Sequence, residues 1–289
     1  RWLGLEGVSL TEGYTDDASI PNMVFSAFQM MFAVITPALI TGAVAGRMKF
    51  KSIFVFTIFW SLIVYYPLAH MVWGQGGLLG ADGIGALDFA GGDVVHISSG
   101  VSALVLCILL GKRHDYEHSI YRIHNIPTVV LGASLLMFGW FGFNAGSALD
   151  ADGLAAHAFM TTGVSAAAAM LSWMLCDIIK NKKPTLIGAS TGMVAGLVGI
   201  TPGAGFVPMW AAVIIGLTTS PVLLNRSSDL AWLTMRLTHS AVMVQAVSGA
   251  DFSQVCSHAR QSTAVQVTVL CTVSLHSSVL RRQVSASQL

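Results

Sequence analysis

Seven stretches of this chain are each about as long and as apolar as a bilayer is thick, and nothing else in the sequence restricts the fold so much. A helix needs about 20 predominantly apolar residues to cross the hydrocarbon. Residues 23–46, 53–73, 94–111, 127–148, 155–179, 186–203 and 206–224 provide such runs, all rich in Ala, Gly and Ser. Small residues let helix backbones approach closely where lipid offers no hydrophobic drive. Only 10% of the 289 residues are charged, against about 25% in a soluble domain, so the chain cannot cover a water-facing surface. An all-α polytopic membrane bundle is expected. The composition excludes most soluble enzymes, and a net charge of +1 excludes nucleic acid as a partner, since that needs a basic face. Cys107, Cys176, Cys256 and Cys271 are scattered without a Cys-x-x-Cys pair, so neither a disulfide scaffold nor a zinc site is expected. No basic segment with a cleavage site opens the chain; it begins at Arg1 in a polar stretch, which points to a missing N-terminus.

Basic residues orient the spans. Arg47, Lys49 and Lys51 follow the first, Lys112, Arg113 and Arg122 the third, and Lys180, Lys182 and Lys183 the fifth. The alternate loops, 74–93, 147–154 and 201–205, hold no Lys or Arg and carry Asp82, Asp88, Asp93, Asp150 and Asp152 instead. By the positive-inside rule, residues 1–22 lie outside and the basic loops are cytoplasmic.

Four features place chemistry within or beside the spans. Asp88 and His96 bracket a glycine-rich turn that runs into a span, and an ionisable residue at membrane depth is a functional candidate by default. The competing reading of His96 is a core histidine bonded to a carbonyl, and that of Asp88 a helix cap that touches no substrate. Trp73 ends the second span; it reads either as an interfacial anchor or as a cation–π platform for a small cation. The aromatic and glycine-rich run from Phe138 to Ser147 reads as packing or as a gate. Phe28 and Phe32, four apart, share one helix face, lining a pore or facing lipid.

These residues lie in ordered strings: Ala69-His70-Met71-Val72-Trp73-Gly74, Gly85-Ala86-Leu87-Asp88-Phe89-Ala90-Gly91-Gly92, Val94-Val95-His96-Ile97, Gly139 to Ser147, and Gly192 to Pro202. In them the chain resembles the family of ammonium transporters, methylammonium permeases and Rhesus proteins, above all its bacterial and plant ammonium-transporter branch, over residues 20–222. The resemblance implies a non-enzymatic transporter without cofactor or metal, a homotrimer of eleven-helix protomers of which about seven helices are present, and a multi-pass protein of the bacterial inner or plasma membrane. It implies that Trp73 and Ser147 recruit ammonium at the outer mouth and that Phe32 and Phe143 stack as a gate with Phe28 beside them. Asp88 would shape the recruitment site and assist deprotonation, and His96 would be the first of two pore histidines. It also implies ammonium or ammonia as substrate, the lipid bilayer as environment, and a trimeric nitrogen-regulatory signalling protein as a cytoplasmic partner. The physics is coherent: an apolar lumen penalises a bare ion by many kcal/mol, so ammonium can shed its proton and pass as ammonia, while potassium has none to lose. Histidine, with one ring nitrogen donating and the other accepting, suits the relay. An ammonium sensor coupled to signalling and a structural membrane subunit are the competing functions.

The pattern breaks near the end. Of 29 glycines, 28 lie in residues 1–220, and no Asp-x-Phe-Gly-x-His-Gly string carries the second histidine. Taking the last base of each codon with the first two of the next, from Trp232 onward, admits A-D-D-A-L-D-A-F-G-C-H-G-A-G-G-I-W-G-G, the family's tenth-helix motif. The frame is therefore expected to be lost between Val222 and Asn225, with the second histidine encoded across Val242 and Met243. The expected organisation is an outer segment 1–22, a transporter core 23–224 lacking the family's first two helices, and a frameshifted tail 225–289. His239, His258 and His276 then carry no pore role, and the chain as it stands is expected not to transport.

Overall fold

The computed structural model describes residues 3–14, 19–80, 83–111 and 124–229. Among them are eight α-helices, one isolated bridge between Gly13 and Pro21, and no strand. Helix α1 spans Asn22–Val44. Helix α2 (Phe50–Trp60) continues through a π turn at Ser61–Tyr65 into α3 (Tyr66–Trp73), so the second expected span is one apolar rod from Phe50 to Trp73. A second π turn, Gly92–Ile97, leads into α4 (Ser98–Leu110). Helix α5 (Ile126–Ala145) ends in a 3₁₀ turn at Gly146–Ala148. Helices α6 (Gly153–Asn181) and α7 (Leu186–Ile200) follow, then a 3₁₀ turn at Thr201–Gly203 and α8 (Met209–Asp229).

Six of the seven expected spans form helices of membrane length, with mean hydropathy from 1.4 to 2.0. The seventh, in α8, is a shorter apolar stretch, Met209–Ser220. The tail from residue 230, with His239, His258, His276 and the site of the expected second histidine, lies outside the described residues.

Local chemistry starts these helices where polar residues meet apolar runs. The side chains of Asn125, Asp152 and Thr185 accept from the backbone N–H groups of Thr128, Ala155 and Gly188 at the starts of α5, α6 and α7, satisfying donors that a helix leaves orphaned. Pro127, in the first turn of α5, needs no N–H partner there.

Helix α6 packs against both α7 and α8, and the contact is built on missing side chains. A Cβ on Gly196 of α7 would lie 2.5 Å from the Ser165 carbonyl oxygen, and one on Gly216 of α8 would lie 2.4 Å from the same atom. Ser165 Oγ also donates to the Gly196 carbonyl at 2.9 Å. Close backbone approach of this kind replaces the hydrophobic drive that lipid cannot supply.

On the other side, α1 packs against α4. Arg47, just past α1, donates to the Ala43, Cys107 and Gly111 carbonyls, tying together the ends of α1 and α4, where a cation complements the helix dipoles. The opposite ends of α1, α3, α4 and α5 converge on the residues described next.

Candidate functional site

The turn from Asp88 to Val94 is organised around one carboxylate. Asp88 Oδ1 accepts from the Gly91 and Gly92 N–H groups at 2.7 and 2.6 Å, and Oδ2 from those of Asp93 and Val94 at 2.8 and 3.1 Å. Burial pushes this carboxyl up from its ordinary value, while the four backbone donors oppose that shift by stabilising the anion. Gly91 adopts φ 110°, open to glycine at little cost, and a Cβ on Gly92 would lie 2.4 Å from Pro202 Cβ. Asp88 thus nucleates the π turn that carries His96, in the manner of an N-terminal cap.

The Asp88 main-chain carbonyl faces the other way and accepts from Trp73 Nε1 at 2.9 Å. The carboxylate therefore holds a loop whose carbonyl fixes the half-buried indole. From that indole a chain of rings runs inward. Trp73 meets Phe32 edge-on at 5.4 Å between centroids, Phe32 meets Phe28 edge-on at 4.9 Å, and Phe32 meets Phe143 at 4.6 Å. Phe32 is buried at the centre of this group. Edge-on and tilted contacts suit the quadrupoles of aromatic rings.

Beneath Phe143 lies His96, 1% exposed. Its ring stacks at 19° on Phe143 (5.9 Å) and on Trp140 (5.5 Å), and those two rings are 5.3 Å apart. Among the described residues neither His96 Nδ1 nor Nε2 has a hydrogen-bond partner. A core histidine bonded to a carbonyl, the bland reading of the sequence, is not what the described residues build. Two free ring nitrogens in an apolar enclosure are instead available to a small guest that can both donate and accept.

Ser147, in the 3₁₀ turn after α5, donates from Oγ to the Phe143 carbonyl at 2.8 Å. It sits one turn beyond Phe143, half-buried, and touches the cluster through Phe143's backbone. Trp73, Phe28, Phe32, Phe143, Asp88 and His96 thus come together from α1, α3, α5, the π turn before α4 and the loop that precedes it, with Ser147 at their margin.

Trp140 belongs to the same group, and sequence reasoning did not single it out. Its signal was present in the aromatic run Phe138 to Phe143, but which ring faces inward depends on packing. Trp140 is buried whereas Phe138 is 79% exposed. Among the described residues no three His, Cys, Asp or Glu side chains lie together as metal ligands.

The sequence matches the model of the Ammonium Transporter Family over residues 2–244. It is 53% identical over 217 residues to the ammonium transporter of Bacillus subtilis, an alignment covering 75% of this chain and 52% of that protein. The fold is similar to the crystal structure of Saccharomyces cerevisiae Mep2, with a TM-score of 0.69 at 38% identity over 78% of this chain and 52% of the other. It is also similar to a protein described as a sensor Amt protein, with a TM-score of 0.70 at 32% identity over 83% of this chain and 62% of the other. The chain spans about half the length of the curated relatives it matches.

Proposed function

The chain belongs to the ammonium transporter family, and from that premise we propose that it forms the outer mouth and the first part of the pore of an ammonium transporter. In this reading Trp73 and Ser147 receive ammonium at the outer surface, where the indole face attracts a small cation. Asp88 acts through its backbone cradle: it positions Trp73 and places a negative charge behind the recruitment site. Because its four acceptor directions are occupied by N–H groups, it does not take the proton itself: its field holds the cation, and the apolar lumen beyond favours proton loss. Phe32 and Phe143 gate the path, with Phe28 beside them. Ammonium gives its proton to water at the outer side and passes His96 as ammonia, which can accept from one ring nitrogen and donate to the other.

The observation that carries this reading is the run of rings from Trp73 to a buried His96 whose two nitrogens have no partner among the described residues. The apolar walls discriminate by charge: stripping water from potassium costs many kcal/mol with no proton to lose. The intact transporter is read as a homotrimer in a bacterial inner or plasma membrane, N-terminal segment outside, with a cytoplasmic nitrogen-regulatory protein as partner. The second histidine is placed in the shifted frame across Val242 and Met243.

The test is methylammonium uptake by proteoliposomes. The full-length protein, continued in the shifted frame past residue 225, takes it up, its Trp73→Leu and Asp88→Ala variants lose most of that uptake, and the 289-residue chain shows none. Unchanged uptake in Trp73→Leu and Asp88→Ala, or brisk ammonium-driven current from the 289-residue chain, would sink the reading. The likeness to the sensor Amt protein favours a second reading, in which the same bundle binds ammonium and signals. A signalling domain encoded downstream in the restored frame would decide for it.

A further inference from the structure

We propose that Thr201 and Pro202, in the 3₁₀ turn between α7 and α8, are positioning residues for His96: Thr201 sets the plane of its ring and Pro202 seats its helix. The proposal rests on the reading of His96 as part of the ammonia path.

Its ground is an imbalance in how His96 is held. A buried histidine is ordinarily oriented by hydrogen bonds to its ring nitrogens, and His96 has none among the described residues. Among the described residues its orientation therefore depends on the rings it stacks against and on the backbone that carries it. Both trace to the same turn, more than a hundred residues away.

The first link runs through Trp140. Its Nε1 donates to Thr201 Oγ1 at 2.9 Å, between groups buried from solvent. The Thr201 hydroxyl proton is itself committed to the Leu197 carbonyl at 2.8 Å, which leaves a lone pair fixed toward the indole. Without that acceptor the indole N–H would be orphaned in an apolar interior. It would have to rotate to find another, carrying its face away from His96. Thr201 thus holds Trp140, and Trp140 holds the imidazole at 19°.

The second link runs through the backbone. The Pro202 carbonyl accepts from the Phe89 N–H at 3.0 Å, and the proline ring fills the space a Gly92 side chain would take. The π turn carrying His96 begins at Gly92. Adjacent residues of one rigid turn therefore fix the ring's partner and the ring's own helix.

The experiment uses the 289-residue chain in lipid nanodiscs, labelled at histidine and tryptophan, with the His96 signals assigned by loss in His96→Gln. His96 ring protons show an upfield ring-current shift from Trp140 and Phe143, of which Trp140→Leu removes the Trp140 part. Thr201→Val is expected to remove it too and to move the Trp140 indole N–H signal out of its hydrogen-bonded position. Thr201→Ser, which keeps the hydroxyl, restores both. Retention of the Trp140 part of the His96 shift in Thr201→Val overturns the proposal, as does its loss in Thr201→Ser to the same extent as in Thr201→Val. Should Thr201→Val fail to assemble, Thr201→Ala removes the same acceptor with less bulk: loss of the Trp140 part of the His96 shift supports the proposal and its retention overturns it. Adding methylammonium tests the underlying reading separately. If the His96 signals ignore it while the Thr201 dependence holds, the path assignment fails and the positioning stands.

Discussion

Asp88 shows how much one side chain can organise. Two oxygens accept four backbone N–H groups, so Asp88→Asn preserves shape but turns an amide N–H₂ toward two of those donors. Charge-assisted bonds to a buried carboxylate are the strong ones. The variant is expected to lose about 3 kcal/mol of stability, read as a lowered unfolding midpoint in detergent, and to release the Trp73 indole along with the loop. Gly92 is the other exacting position in that turn. A methyl there would collide with Pro202, so Gly92→Ala is expected to cost about 1–3 kcal/mol through overpacking. Thermal unfolding of Gly92→Ala beside Gly132→Ala checks it, because a Cβ on Gly132 meets nothing within 4 Å.

Single elements divide into those read directly from the sequence and those that were not. The helix runs were legible, since a continuous apolar stretch of span length has few alternatives in lipid. The π turns at Ser61–Tyr65 and Gly92–Ile97 were not, because hydropathy carries no record of which carbonyl an N–H reaches. Such turns recur at functional sites, and here the second one carries His96. Packing of α6 against α7 and α8 turns on glycine at two close approaches to a single carbonyl, that of Ser165. Gly196→Val is expected to push α7 off α6 at a cost of about 1–3 kcal/mol. The variant should leave the membrane fraction reduced and unfold earlier in a temperature series, while Gly139→Val, whose added Cβ meets nothing within 4 Å, should not.

For the molecule as a whole, charge rather than hydropathy specifies orientation. Basic loops alternating with loops free of Lys and Arg lead us to propose, by the positive-inside rule, that 147–154 lie outside and 180–185 inside. A cysteine at Asp150 is therefore expected to react with a membrane-impermeant maleimide added to intact cells. One at Lys183 should react only after permeabilisation. The reverse pattern would invert the assigned topology and place Trp73 on the cytoplasmic side.

What the sequence determined by itself was the all-helical membrane architecture, the span order, and the chemistry worth watching. Asp88, His96 and Trp73 stand out because charged, titratable and amphipathic groups are costly in an apolar setting and so conspicuous there. Only the tertiary structure decided what each one faces. It turned the Asp88 carboxylate onto backbone donors and stacked His96 on Trp140 and Phe143, its nitrogens without a partner among the described residues. It also brought Thr201 and Pro202 to both supports of that histidine. The physical reason is range: hydropathy and capping act over a few residues along the chain, whereas the bond from Trp140 to Thr201 spans 61 positions and exists only once α5 and α7 have packed.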